Sequence, residues 1–320
     1  MKTQQSRIPQ SKKHTCPLCH RDRIDQTIEH WAWAQDIEYF TSKDWFEIIH
    51  CNSCEILFIT PMLFDRLADI YPTNYYSLGT AQRSMAAKTK AWFDKIFFRK
   101  VLRKIIHKEI RALDIGGGTG WLLNILKATD PRVQDTWVVD TNPLARDLAE
   151  AAGHSFFEGL VEKFQTETRF DIILMLNVIE HVANPRELLA KSRDLLAPGG
   201  LIIVNTPNFD ACDARLFRHN SWGGYHTPRH FVIFKRESFI KLAQEVDLEI
   251  DSFNYVQGAA FWSVSLLNTM RQLGIVSVTH QRPAINHPIM PLLQIGAAAF
   301  DFARAPFSNL SQMRFILRRK

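Results

Sequence analysis

Two groups of residues in this chain have the types and spacing that chemistry needs. The first is Asp114-Ile115-Gly116-Gly117-Gly118-Thr119-Gly120, an acid followed by a loop with glycine at every second position. Glycine accepts positive φ and carries no side chain, so such a loop lets backbone lie directly against a nucleoside. The dinucleotide spacing G-x-G-x-x-G would need glycine where Trp121 stands, which argues against a dinucleotide-dependent oxidoreductase. The second group is a pair of Cys-x-x-Cys units, Cys16-Pro17-Leu18-Cys19 and Cys51-Asn52-Ser53-Cys54. Each tight turn can offer two thiolates, and four thiolates suit tetrahedral zinc with no position left open. The expected metal is therefore a structural zinc on Cys16, Cys19, Cys51 and Cys54. Cys212 is left over as an ordinary thiol.

Acids and histidines supply further candidates. Asp140 closes the apolar run Val138-Val139, where an acid can accept both ribose hydroxyls; its plainer role is to cap the helix start at Asn142-Pro143. Asn177-Val178-Ile179-Glu180-His181 follows another apolar run. A third cluster is Trp222-Gly223-Gly224-Tyr225-His226-Thr227-Pro228-Arg229-His230-Phe231, with His226, Arg229 and His230 expected on the substrate side. Histidine titrates near neutrality and can take a proton from a nucleophile, so His181, His226 and His230 are the catalytic candidates.

Positioning these residues requires a scaffold. Residues 1–13 are polar and are expected to be disordered, and 14–61 form a small aromatic-rich module around the cysteines, with candidate strands at 46–50 and 55–59. Residues 62–110 read as helices: Leu63, Leu67 and Ile70 share one face, and Trp92, Ile96, Phe97 and Val101 follow helical spacing, with Pro72 and Gly79 between them. From 111 to 258 strand and helix alternate. Short apolar runs at 111–115, 136–139, 170–176 and 201–204 suit buried parallel strands, and Asn184-Pro185 opens a helix in the expected order. A helix at 237–246 and a strand at 248–255 follow. Residues 259–308 are apolar and rich in proline and read as a helical lid, and 309–320 ends in a core strand. The pattern is α/β, a doubly wound sheet with a small N-terminal zinc ribbon and a C-terminal lid insertion.

Five blocks in order carry a family resemblance: the 114–120 loop, Val138-Val139-Asp140, the run 170–177, Val178-Ile179-Glu180-His181-Val182, and Leu195-Leu196-Ala197-Pro198-Gly199-Gly200. Together they resemble class I S-adenosylmethionine-dependent methyltransferases, which have a Rossmann-like sheet. The resemblance implies a cofactor site of Asp114, Gly116, Gly118, Gly120, Asp140, Leu160 and Asn177, with Asp114 toward the methionine ammonium and Asp140 on the ribose. Leu160 falls where the family contacts adenine, although the usual acid is not evident in Glu158-Gly159-Leu160-Val161. Some relatives hold a divalent metal on an acid-plus-histidine motif placed like Glu180-His181; whether this pair does so stays open. The zinc module, Tyr71-Pro72-Thr73-Asn74-Tyr75-Tyr76 and the 222–231 loop resemble bacterial methyltransferases of saccharide and lipid-precursor pathways.

The implied acceptor is a small molecule, a saccharide intermediate or a lipid-linked precursor. O-methylation is the default and C-methylation the variant. The alternatives are an RNA methyltransferase using the zinc ribbon and a non-catalytic binding module. With 39 Lys and Arg against 33 Asp and Glu, the net charge of +6 selects no partner. The fourth strand lacks the Asn-Pro-Pro-aromatic motif of base amino-group enzymes, so nucleic acid is not the expected partner. The polar N-terminus shows no secretory signal, which places the expected location in the cytoplasm, with peripheral contact at the inner membrane face open to 259–308.

Overall fold

The computed structural model describes residues 15–20, 27–71, 85–219 and 222–320, with the side chains of 85–88 left aside. The expected tail at 1–13, the breakers Pro72 and Gly79, and most of the Tyr71–Tyr76 block lie outside the described residues.

Three strands form the N-terminal module: β1 (Ile28–Gln35), β2 (Trp45–Cys51) and β3 (Ile56–Thr60). The short helix α1 (Leu67–Ile70) and the long α2 (Met85–Leu102) follow. On α2 the core side is carried by Phe98, Val101 and Leu102, whereas Trp92 and Ile96 of the expected stripe face outward.

The alternating region then runs β4 (Ile110–Ile115), α3 (Trp121–Lys127), β5 (Val133–Asp140), α4 (Arg146–Ala151), β6 (Ser155–Glu158), β7 (Phe170–Leu176), α5 (Pro185–Leu195) and β8 (Leu196–Pro207). Asn184 caps α5 by accepting from Glu187 N, with Pro185 in the first turn. After α6 (Cys212–Leu216) come β9 (Val232–Phe234), α7 (Arg236–Glu245), β10 (Leu248–Val256), α8 (Ala259–Gln272), α9 (Met290–Arg304) and β11 (Gln312–Arg319).

Seven strands make one sheet in the order β10-β11-β8-β7-β4-β5-β6. β4 to β8 pair in parallel; β11 runs antiparallel between β8 and β10. Strand order reverses between β4 and β7, the switch point where a doubly wound sheet opens a ligand crevice at its carboxyl edge. The centres of β4 and β7 are apolar because both faces of the sheet are covered; Ala112, Leu113, Ile172 and Ile173 have no exposed surface.

The cysteine module forms a second, four-stranded sheet in the order β1-β2-β3-β9, and its fourth strand β9 comes from the segment just after the histidine loop. Phe46, Ile49 and Phe58 share one apolar core with Phe170, Phe239 and Phe315. No sequence signal at 232–234 distinguishes a strand that joins the distant module from any other short apolar run.

Candidate active site

The glycine loop leaves β4 and enters α3. Gly116 and Gly120 sit at φ +67° and +74°, conformations that side-chain-bearing residues avoid. Space is equally restrictive. A Cβ on Gly116 would lie 2.7 Å from Val178 Cγ2, and one on Gly120 would lie 2.3 Å from the His154 ring. The loop is thus packed against the Asn177–His181 turn on one side and His154 on the other. His154 is held by Thr136 at 2.8 Å, a contact with no signature in the sequence.

Two carboxylates face this loop. Asp114, next to the last residue of β4, is buried and its Oδ2 has no partner. Burial, with the nearby Asp140 charge, holds its carboxyl well above the usual range. Asp140 ends β5; one oxygen accepts from Gly118 N and the other from Asn142 N, both at 2.8 Å. Burial raises its pKa as well, against those two backbone donors. The 3-10 turn after β5 is capped by Asn142, which accepts from Leu144 N. An unpartnered buried carboxylate beside a loop without side chains fits a cationic nucleoside: an ammonium group would supply the donor that Asp114 Oδ2 lacks. Leu160 is half-exposed, and the preceding Gly159 N donates to Asp140 O at 2.9 Å, which ties that loop to the same crevice.

Asn177 follows β7 at φ +58° and donates from Nδ2 to Glu180 Oε1 at 3.1 Å. Glu180 is fully buried, its Oε2 has no partner, and burial pushes its carboxyl up to about 7. The structure brings the three catalytic candidates together here. Ring centroids of His181 and His230 lie 4.7 Å apart, His226 and His230 4.8 Å, and His181 and His226 6.0 Å.

The hydrogen bonds fix the tautomers. His181 Nδ1 lies 3.0 Å from the Arg229 carbonyl and 2.8 Å from Tyr71 Oη. A carbonyl only accepts, so Nδ1 carries the proton. His230 Nδ1 donates to the Gly224 carbonyl at 2.8 Å, and His226 Nδ1 to Glu38 Oε1 at 2.8 Å. In His181 and His230 the lone pair is therefore left on Nε2. Burial pushes His181 down to about 3 and His230 well below its ordinary value, with the Arg229 charge acting in the same direction. Burial thus keeps the His181 and His230 rings neutral at neutral pH.

Arg229 is a correction to the sequence reading. It was expected on the substrate side, yet it has no exposed surface. Its guanidinium donates to Ile70 O, Thr227 O, Asp36 Oδ2 and Thr41 Oγ1 and lies over the Tyr39 ring. It joins the cysteine module to the histidine loop. Asp36 and Glu38, its neighbours in this arrangement, come from the aromatic stretch between the cysteine pairs, where nothing in their spacing marks them.

The four cysteines form one cluster, with Cys16 and Cys54 sulfurs 3.9 Å apart and Cys19 and Cys51 sulfurs 3.7 Å apart. Tetrahedral zinc with bonds of about 2.3 Å needs sulfurs about 3.8 Å apart, so the set fits the ion. Among the described residues a second group, Glu180, His181 and His230, also brings its donor atoms within 4.8 Å of one another.

Residues 81–252 match the methyltransferase domain family, more than half of the chain. The chain belongs to that family. S-adenosylmethionine-dependent methyltransferase class and Rossmann-like α/β fold follow for this domain. It is similar to the ubiquinone biosynthesis O-methyltransferase of Ruegeria pomeroyi, 38% identical over 106 residues, which are 31% of this chain and 42% of that one. The enzyme of the same name from Cereibacter sphaeroides is 32% identical over 122 residues, 35% of this chain and 47% of its own length. The chain thus spans less than half the length of these curated relatives. An S-adenosylmethionine-dependent methyltransferase from Clostridium acetobutylicum aligns over 80% of this chain and 99% of that one, at 13% identity and a TM-score of 0.47. A plantazolicin methyltransferase solved in complex with a triazolic desmethylPZN analog and SAH aligns over 75% of this chain and 87% of that one, at 14% identity and a TM-score of 0.47. Among the described residues no helix is long and apolar enough to cross a membrane.

Proposed function

We propose that this protein methylates a hydroxyl oxygen of a small molecule, either a saccharide intermediate or a lipid-linked precursor, with a histidine of the 181–226–230 cluster as base. The supporting observation is that three imidazoles cluster where the His181 backbone N–H donates to Val178 O, and Val178 packs on the glycine loop. S-adenosylmethionine supplies an electrophilic methyl group on a sulfonium. The acceptor oxygen forms its bond to that methyl as the sulfur–methyl bond breaks, and the hydroxyl proton passes to an imidazole Nε2. Asp114 holds the ammonium end, Asp140 the ribose, and Leu160 covers the adenine. The relatives named O-methyltransferases support oxygen over carbon as the acceptor atom. The apolar 259–308 lid supports an acceptor with a lipid tail and a peripheral membrane contact.

Labelled methyl transfer from S-adenosylmethionine to an alkylphenol, a hexose and a short RNA tests this reading. Transfer to the phenol or hexose, lost about 100-fold or more in His226→Ala, whose ring is backed by the Glu38 carboxylate, is expected; transfer to RNA alone would refute it. A divalent ion on Glu180, His181 and His230 is the second reading, favoured by their convergent donor atoms. Under it, transfer stops on chelation and returns with added metal.

We further infer that the cysteine cluster holds one structural zinc. Metal analysis of the purified chain should find about one zinc per molecule, abolished in Cys51→Ser. Zinc-free protein with the module still folded would remove the assignment.

A further inference from the structure

The surface of α9 is not one that water favours. Every exposed side chain on this helix except Gln294 is apolar. Leu292 is 68% exposed, Ile295 69% and Phe302 84%, and Phe307 just past the helix is 88% exposed. Leu292, Ile295, Ala299 and Phe302 recur at three- and four-residue intervals, so they form one stripe, which Phe300 widens. The opposite side is satisfied: Met290 and Ala297 pack toward α8, and Asp301 accepts from Gly258 N and pairs with Arg304. The apolar stripe therefore faces away from the protein's own core.

Charge indicates what covers it. Asp301 is the only acid between 259 and 308, and it is buried and neutralised. Arg271 and Arg282 leave the segment cationic. A second copy joined about a two-fold axis would set this cationic segment against itself. A bilayer with anionic headgroups presents the opposite charge to the basic residues and hydrocarbon to the stripe. A wide convex apolar arc also matches a fluid surface better than a rigid partner's groove.

We propose that α9 and the turn at Phe307 form a docking surface for an anionic lipid bilayer, on which the protein rests without spanning it. The proposal deepens the peripheral contact within the proposed function and rests on that reading only for the acceptor's tail. The geometry connects the two. α8 lies beneath α9 and packs on the histidine loop, where Gly223 N donates to Ser265 Oγ at 2.8 Å and a Cβ on Gly223 would meet Phe261 O at 2.6 Å. One helix layer thus separates the docking surface from the loop that carries His226.

Co-sedimentation of the full chain with vesicles tests this. One set is phosphatidylcholine and the other carries about one-third phosphatidylglycerol. Binding should be at least about tenfold stronger on the anionic vesicles and weaken with salt. The exposed-residue variant Leu292→Gln/Ile295→Gln/Phe302→Gln should lose about tenfold or more, and Arg282→Glu should lose several-fold on anionic vesicles only. Both variants should keep the thermal unfolding and SAH binding of the parent protein. Absence of vesicle binding, or equal binding by the triple variant, overturns the proposal. So does a concentration-dependent dimer in ultracentrifugation that the triple variant abolishes, since that gives the face to a second copy. Failure to bind SAH would instead refute the methyltransferase reading and leave the vesicle result standing.

Discussion

Arg229→Met should cost the fold about 3–5 kcal/mol, measured by denaturant unfolding, because it strands a buried acid. Arg229 and Asp36 both have fully buried side chains and meet at 3.0 Å. Asp36 also accepts from the backbone of Glu38, Tyr39 and Thr41 and from the Thr41 hydroxyl, so it cannot turn away when its cation is lost. Burial pushes the Asp36 carboxyl up, but the Arg229 charge and the Thr41 hydroxyl outweigh it and hold it below its ordinary value. A depressed folded value gives stability that is present above the unfolded carboxylate range and lost as pH falls through the folded value. Removing the arginine reverses that balance, so the penalty of Arg229→Met should be greatest near neutrality and shrink toward acid, where Asp36 takes up a proton. Asp36→Asn/Arg229→Met should recover part of the loss, since neither charge is then left alone. Equal stability of Arg229→Met and the parent protein would mean that the ion pair does not bind the cysteine module to the histidine loop.

The same ion pair shows where sequence reading stops. The glycine loop, Asp140 and the Asn177–His181 turn were legible because each depends on spacing within a few residues at the end of one strand. Parallel strands buried on both faces also announce themselves as apolar runs, as 172–176 does. Arg229 was misplaced because its meaning lies in Asp36, 193 residues away in sequence. An arginine flanked by two histidines looks the same in sequence whether it reaches toward solvent or inward. Glu38 was missed for the same reason: its partner His226 is 188 residues distant. The shared sheet of β1-β2-β3 and β9 is a third case, because β pairing between remote segments leaves no local periodicity. On α2 the error was smaller: Trp92 and Ile96 fit the helical period, but several apolar residues offered competing stripes, and packing chose the one with Phe98, Val101 and Leu102.

These long-range contacts give the cysteine module a role in the site. Glu38 lies between the two cysteine pairs and accepts from His226 Nδ1, and Trp31 of β1 donates to the Tyr225 hydroxyl at 2.9 Å in the same loop. A metal that holds the module together would therefore also hold the histidine cluster in register.

Asp140→Ala should weaken S-adenosylmethionine binding by about 1–3 kcal/mol, or roughly 5- to 150-fold in Kd, the scale of charge-assisted hydrogen bonds lost at one buried carboxylate. Without a ligand, the Asp140 oxygens accept from Gly118 N and Asn142 N, so the side chain is already aimed across the mouth of the loop. Its truncation also removes one cause of the raised Asp114 value, so part of the loss should be offset by easier ionisation of Asp114. The pH dependence has a definite sign. Both carboxyls are raised by burial, so the ligand-free protein binds their protons more tightly than an unfolded chain does. A cationic ligand needs them ionised, and affinity should therefore rise with pH from the acid side through the raised carboxyl values, with protons released on binding. Isothermal titration calorimetry in buffers of different ionisation enthalpy measures both quantities. Unchanged affinity in Asp140→Ala, or proton uptake instead of release, would remove these two acids from the cofactor site.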